Sequence, residues 1–315
     1  MIRFRRKIPF LRQNCSHLCV ESLAKTAPSL TIDSTVKPLN SILPWAAAFA
    51  LVCSSLAGWA QQSFYQQIRL HNVSMADVQP TWMTPLFQSD ARLGQALRIS
   101  VSNSTMAGNH VLEYGNGHGI SMIIGRRIQV DLNPPSFFRN HSSSAPDGFG
   151  NASTQVKYRI VSGNAEHGNF AVSAVLYHAF APRIHQNVLE TSYYAPYINV
   201  GKGIGRFAII SSVGGFLPTG KINLQGRAVE WNTTAQFHTT AHTWFDIENE
   251  TAFFHAGPFD GKTQSFITPA AYVSIRRKSW KPEHAYLVLA AGKQVAMTRF
   301  SLWNHNVVTE MRVTF

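Results

Sequence analysis

Arg227-Ala228-Val229-Glu230-Trp231-Asn232-Thr233-Thr234-Ala235-Gln236-Phe237 and, five residues on, Thr243-Trp244-Phe245-Asp246-Ile247-Glu248-Asn249-Glu250-Thr251-Ala252-Phe253 alternate apolar and polar side chains along their length. A period of two puts Val229, Trp231, Thr233, Ala235 and Phe237 on one face of a strand and Glu230, Asn232, Thr234 and Gln236 on the other. In the second run Phe245, Ile247 and Phe253 oppose Asp246, Glu248 and Glu250. A tight connection around Thr239 and Thr240 joins the runs into a hairpin. Strands this long exceed the roughly five or six residues usual in soluble sheets.

The same period recurs outward from this hairpin. Leu97-Arg98-Ile99-Ser100-Val101-Ser102, Arg127-Ile128-Gln129-Val130-Asp131-Leu132 and Gln155-Val156-Lys157-Tyr158-Arg159-Ile160 each set apolar groups against charges or amides. At the chain's end Val307, Met311, Val313 and Phe315 oppose Asn306, Glu310, Arg312 and Thr314. With weaker segments, about twelve strands are expected, over 96–106, 114–124, 127–134, 153–163, 169–181, 191–201, 205–216, 226–238, 241–254, 265–277, 285–297 and 303–315. Gly125-Arg126, 201–204 and the Thr239-Thr240 connection are short. The connections 133–152, 182–190 and 256–264 are longer and rich in Gly, Pro, Ser and Asn. Residues 61–94 lack the pattern and read as an irregular lead-in, a periplasmic tail or a partial plug, with Trp82 and Phe87 expected at the barrel mouth.

Residues 41–60 hold an apolar core over about 43–53 and then Gly58-Trp59-Ala60, a small-x-small cleavage signature. The core is too short for a spanning helix, which needs about 20 residues. These features predict a secretory signal peptide cleaved after Ala60. The forty residues ahead of the core are polar and unpatterned, so translation is expected to begin near Val36, with Lys37 as the basic front. Cys15, Cys19 and Cys53 all lie before the cleavage point, leaving a mature chain without disulfides. Seven Lys or Arg and two Asp or Glu leave with them, which reduces the net charge from +12 to +7. That excess is scattered, without a basic block, so nucleic acid is not an expected partner.

Charged residues make up 14% of the chain, against about 25% in a typical soluble domain. Export, an even count of long alternating strands and alternating short and long connections describe an all-β fold: a transmembrane antiparallel up-and-down β-barrel of the outer membrane, with short periplasmic turns and longer extracellular loops. Backbone groups in hydrocarbon must all be paired, so a sheet there has to close on itself.

Three stretches carry a family resemblance: Gly148-Phe149-Gly150-Asn151 followed by Gln155-Val156-Lys157-Tyr158-Arg159, the run from Gly125 to Pro135, and Leu217-Pro218-Thr219-Gly220. Over residues 95–315 the chain resembles the outer-membrane transporter-like family linked to the meta-cleavage pathway of phenol degradation. It departs from that family's pattern at Asn151, where Asp is usual, and in placing Leu-Pro-Thr-Gly one hairpin late, Phe180-Ala181-Pro182-Arg183 standing at the usual position. The resemblance implies passage of small solutes, aromatic or hydrophobic ones among them, and carries no catalytic residues.

The residues themselves offer little other chemistry. His238 and His242 form His-x-x-x-His ahead of Asp246, Glu248 and Glu250, but a turn falls between them, so they read as rim and wall residues rather than metal ligands. Ser142 or Ser143 with His141, or His305 between Asn304 and Asn306, could suggest a barrel phospholipase, yet no hydrolase signature surrounds them. The glycines of Gly201-Lys202-Gly203-Ile204-Gly205 lack the strand-loop-helix setting of a phosphate cradle. No catalytic, cofactor or metal site is therefore assigned, and the chain is not expected to be an enzyme.

Parity assigns twelve charges to the lumen: Arg98, Arg127, Asp131, Lys157, Arg159, Glu230, Asp246, Glu248, Glu250, Arg276, Glu310 and Arg312. The early members lean basic and the middle ones acidic. Two functions fit this distribution: a passive channel whose transverse field orients small solutes, or a structural or adhesive barrel whose lumen is plugged by its own ion pairs. Trp231 and Trp303 fall on the lipid face by the same count, and Trp244 inside. Val313 and Phe315, outward on the last strand, resemble the signal read by the outer-membrane barrel assembly machinery. The expected partners are that machinery, outer-membrane lipid and a small solute, around a monomer.

Overall fold

The computed structural model describes residues 74–75, 77–106, 109–115, 118–141, 147–181, 191–220, 222, 226–276, 286–301 and 303–315, all within the compact unit Gln61–Phe315. The expected signal peptide, the start near Val36, Ser142 and Ser143 lie outside the described residues.

Fifteen strand segments form one antiparallel sheet: β1 (Ala96–Met106), β2 (Asn109–Tyr114), β3 (Gly119–Ile124), β4 (Ile128–Asn133), β5 (Phe137–Asn140), β6 (Gly148–Phe149), β7 (Ala152–Gly163), β8 (Phe170–Phe180), β9 (Tyr193–Ile204), β10 (Phe207–Pro218), β11 (Arg227–Thr240), β12 (Thr243–His255), β13 (Thr263–Ile275), β14 (Tyr286–Ala296) and β15 (His305–Thr314). β15 pairs back onto β1 from Ala96↔Thr314 to Thr105↔His305, which closes the sheet and removes its edges. β2 and β3 both lie along β1, β5 and β4 follow them, and β6 and β7 come next. Each of these three pairs is one strand broken in the middle, so the fifteen segments make a closed barrel of twelve strands.

The breaks are linked to one another across neighbouring strands. Pro134 and Pro135 have no N–H and cannot continue a ladder. Beside them the Gly115 N–H donates to the Ser100 carbonyl (2.7 Å), Ser136 Oγ donates to the Gly115 carbonyl (3.2 Å) and the Gly150 N–H donates to the Ser136 carbonyl (2.7 Å). Part of the expected loop over 133–152 is thus strand, at Phe137–Asn140 and Gly148–Phe149. The turn expected at 201–204 lies at Gly205-Arg206 instead, where Gly205 takes φ +58°, a conformation a side chain would resist.

Both ends of the barrel sequence, Ala96 and Thr314, lie at one end of the barrel, together with the tight turns at 125–127, 205–206 and 241–242. By the rule for such barrels this end is periplasmic. Two connections break the short-and-long pattern: 107–108 is short at the extracellular end, and 276–285 is long at the periplasmic end.

Burial is inverted relative to a soluble protein. Ile204 is 70% exposed and Trp231 55%, whereas the lumen-facing Asn199, Thr234, Glu248 and Gln294 have no exposed surface. Water on both sides would make so much bare aliphatic surface untenable; lipid outside and a polar lumen inside account for it. His178 stacked on Tyr194 (4.4 Å) marks the outer surface near the extracellular end, and Phe207 against Phe237 (4.7 Å) marks it near the periplasmic end. Twelve strands spaced about 4.8 Å apart and tilted about 40° give a backbone diameter of roughly 24 Å. Side chains narrow that lumen, and a segment of the chain itself occupies it.

Candidate lumenal site

The described part of the irregular stretch before β1, residues 77–95, threads the barrel interior and does not hang below it as a tail. Its first anchor is Trp82, buried against Ala171, Ala208 and Ile210 of β8 and β10. Wall residues here are small for a reason: a Cβ on Gly201 would sit 2.5 Å from the indole, and one on Gly292 would sit 2.8 Å from Leu86. The indole N–H donates to Asp90 Oδ1 (2.9 Å), and Asp90 also pairs with Arg92 (2.9 Å) and accepts from Thr84 Oγ1 (2.8 Å). Burial alone would raise the Asp90 carboxyl. Arg92, Lys157 and the hydrogen bonds from Trp82 and the Arg92 backbone outweigh it and hold the group below the usual carboxylate range.

The polar face of the β11–β12 hairpin supplies the second anchor. Gln236 grips Met83 at both backbone atoms, accepting from its N–H (2.6 Å) and donating to its carbonyl (3.2 Å). Glu248 accepts the backbone N–H groups of Leu86 (2.7 Å), Phe87 (3.0 Å) and Gln88 (3.3 Å), and Tyr272 Oη donates to it as well (3.0 Å). Three successive amides converging on one carboxylate satisfy donors that a buried irregular chain would otherwise leave unpaired. Thr234 Oγ1 donates to Gln88 Oε1 (2.7 Å), and Asn199 Nδ2 donates to the Asp90 carbonyl (3.1 Å).

On the opposite wall Lys157 Nζ donates to the Arg92 carbonyl (3.0 Å) and Arg312 Nη1 to the Thr84 carbonyl (3.2 Å). The Gly94 N–H donates to Gln129 Oε1 (2.7 Å) just before the chain enters β1. The wall is therefore written to hold this segment at a series of points along its length.

The twelve charges assigned by parity divide by position. Arg98, Glu310 and Arg312 cluster inside: Arg98 Nη2 lies 3.5 Å from Glu310, and Arg312 Nε donates to Glu310 Oε1 at 2.7 Å. Asp131 accepts from Gln129 (2.7 Å) and Gln155 (2.6 Å). Arg159 donates to the Arg126 carbonyl (2.5 Å) near the periplasmic end. Glu230 accepts from Tyr197 Oη, Glu250 from Gln294 (2.7 Å) and Asp246 from Gln236 (3.4 Å).

Arg127 is a correction. It sits in the turn before β4, exposed, with Nη1 3.3 Å from the outward-facing Tyr158 hydroxyl, because alternation does not govern direction once the chain leaves the ladder. Arg276 likewise follows the end of β13 and is exposed at the rim. Trp303, counted as lipid-facing, also precedes its strand. It folds inward, stacks on Phe266 (4.9 Å) and donates to Gln294 (2.6 Å), whereas Trp244 lies inside against His238 (4.5 Å). His238 and His242 stand apart across the turn, His242 beside Ser274.

A cavity of about 390 Å³ runs beside the inner segment, from Gly94 and Ala96 toward Tyr193 and Phe216. One side carries Arg98, Lys157, Arg312 and Asp131, and the other carries Tyr177, Tyr193, Tyr197, Phe216 and Glu230. Tyr193 packs on Tyr177 (5.7 Å) and on Phe216 (4.7 Å). At the extracellular mouth Phe254, Phe259 and Phe300 meet within 5.2 to 5.7 Å, with Lys262 Nζ 4.9 Å from the Phe300 ring. Sequence reading did not single out Asp90, Arg92, Gln236 or Tyr197. Gln236 was legible on a polar strand face, but nothing in an unpatterned lead-in signals that Asp90 and Arg92 are lumenal.

No family model matches the chain, and no curated protein matches it. Among solved structures it is similar to a COG4313 outer membrane channel from Pseudomonas putida F1, at 12% identity and TM-score 0.48 over 74% of this chain and all (100%) of that one. It is also similar to the NanC porin, at 7% identity and TM-score 0.46 over 70% of this chain and 98% of that one.

Proposed function

We propose that this chain is an outer-membrane barrel that passes small solutes passively along the tyrosine-lined cavity, with residues 77–95 acting as a plug that narrows the lumen. The observation that carries this reading is the cavity itself, which offers mixed walls of cations, carboxylates and aromatic rings. Such walls suit a small solute with both a flat apolar part and a polar group. The resemblance to the phenol-pathway transporter-like family points the same way, toward aromatic or hydrophobic solutes.

Swelling of liposomes loaded with the full mature chain tests the proposal. Small phenolic solutes should enter several times faster than sugars of similar mass, and equal rates for the two would sink it. A second reading, a structural barrel closed by its own charges, is favoured by the Arg98, Glu310 and Arg312 cluster and by Glu248's commitment to the inner segment. Absence of any solute flux, with a stably folded barrel, would select that reading.

The same proposal extends to targeting. A cleaved signal peptide would export the protein as a monomer, and Val313 and the terminal Phe315, on the outward parity of β15, would be read by the assembly machinery. Phe315→Ser is expected to lower the folded, heat-modifiable fraction in outer membranes severalfold, as read by gel mobility without boiling. Unchanged assembly would remove this part of the proposal.

A further inference from the structure

The lipid-facing surface is not uniformly apolar. Around most of the barrel the outward residues near the extracellular end are aromatic or aliphatic: Phe180, Tyr194, Leu217, Trp231 and Phe253 are all well exposed. Over β14, β15, β1, β2 and β5 polar and basic residues are interleaved with the aliphatic Val295, Val307 and Leu112. The register places Lys293 opposite Val307, Val307 opposite Asn103, Asn103 opposite Leu112, and Leu112 opposite Arg139, in one outward row. One row nearer the rim, His305 pairs with Thr105 and Thr105 with His110.

These groups are already ordered. Thr105 Oγ1 lies 3.1 Å from His305 Nε2 and 3.2 Å from His110 Nδ1, which ties the two rings across three strands. Lys293 and Arg139 are exposed and have no side-chain partner among the described residues. Below them the face returns to lipid character with Val101, Tyr114 and the edge-on pair of Phe137 and Phe149 (5.2 Å). The four inter-strand steps from Lys293 to Arg139 span roughly 19 Å.

We infer that this face is a docking surface for the phosphorylated glycolipid headgroup of the outer leaflet, lipopolysaccharide. The inference rests on the outer-membrane orientation and not on what the lumen carries. Two cations without a partner among the described residues, about 19 Å apart along the row and bordering an apolar belt, face the leaflet whose glycolipid headgroups carry anionic phosphate, which attracts basic side chains. A guanidinium grips phosphate bidentately, and the ordered histidine and threonine row above offers further hydrogen bonds to sugar or phosphate oxygens. A single phospholipid headgroup would not reach both cations, whereas a headgroup bearing several phosphates would.

Purified full mature chain in detergent, titrated with lipopolysaccharide and followed by native mass spectrometry, tests the assignment. Phosphatidylglycerol and dephosphorylated lipopolysaccharide serve as comparison ligands. The wild type should retain lipopolysaccharide over both, and the double variant Lys293→Gln, Arg139→Gln should lose roughly ten- to thirty-fold in affinity. Arg227→Gln, at the same end but four strands from β15, should change nothing. Should the double variant misfold, His110→Gln with His305→Gln provides a second, milder loss. Equal binding of phosphatidylglycerol, or full binding by the folded variants, would overturn the assignment. Solute flux should be the same in all the variants, so failure of this docking surface and failure of the channel reading are read separately.

Discussion

Deleting residues 77–94 is expected to raise single-channel conductance roughly ten-fold, because a twelve-stranded barrel with a backbone diameter near 24 Å would be left with an open polar lumen. The segment fills that lumen with Trp82, Met83, Leu86 and Leu93 and reaches the walls of β8, β9, β10, β11, β12 and β13. The barrel itself should survive the deletion, since each strand's backbone pairing is with its neighbours and closure runs through β1 and β15. Heat-modifiable gel mobility checks folding, and planar bilayer recording reads the conductance. A folded deletion variant that conducts no more than the parent would mean that the plug is not what limits flow.

Glu248→Ala should release the same segment without shortening the chain. The substitution removes the acceptor of three backbone N–H groups and of the Tyr272 hydroxyl in a fully buried setting. Unsatisfied buried donors and the loss of a charged acceptor together cost about 3 to 5 kcal/mol, less whatever water entering the lumen restores. At about 1.4 kcal/mol per decade, amide exchange over Leu86, Phe87 and Gln88 should accelerate by about two to four orders of magnitude, while exchange in β9 and β10 stays slow. Glu248→Gln keeps one carbonyl acceptor and should fall between the two. Unaltered exchange at those three amides in Glu248→Ala would show that Gln236, Trp82 and Asp90 hold the segment by themselves.

The period of two makes most of the barrel legible in the residues alone. Along Arg227–Thr240 and Thr243–His255 the alternation alone sorts Glu230, Gln236, Asp246 and Glu248 from Val229, Trp231, Phe245 and Ile247, because consecutive side chains of a strand must point to opposite faces. It failed where the ladder stops. Arg127 and Trp303 lie just outside strands, where no pleat fixes direction, so counting placed Arg127 in the lumen and Trp303 in lipid, and each lies elsewhere. Pro134 and Pro135 hid the continuation of β4 into β5, since prolines end a hydrogen-bonded run but not the chain's course across the barrel.

By itself, then, the sequence determined which residues within the strands meet lipid and which meet the lumen, how many strands close the wall and where their tight turns fall within a few residues. Each of those is a local property of alternation and turn chemistry. Only the tertiary structure decided what fills the lumen. That Glu248 faces the amides of Leu86, Phe87 and Gln88, that Gly201 is bare to admit Trp82, and that Lys293 and Arg139 share one row all depend on closure. Closure brings together residues more than a hundred positions apart, and no local pattern encodes such a meeting.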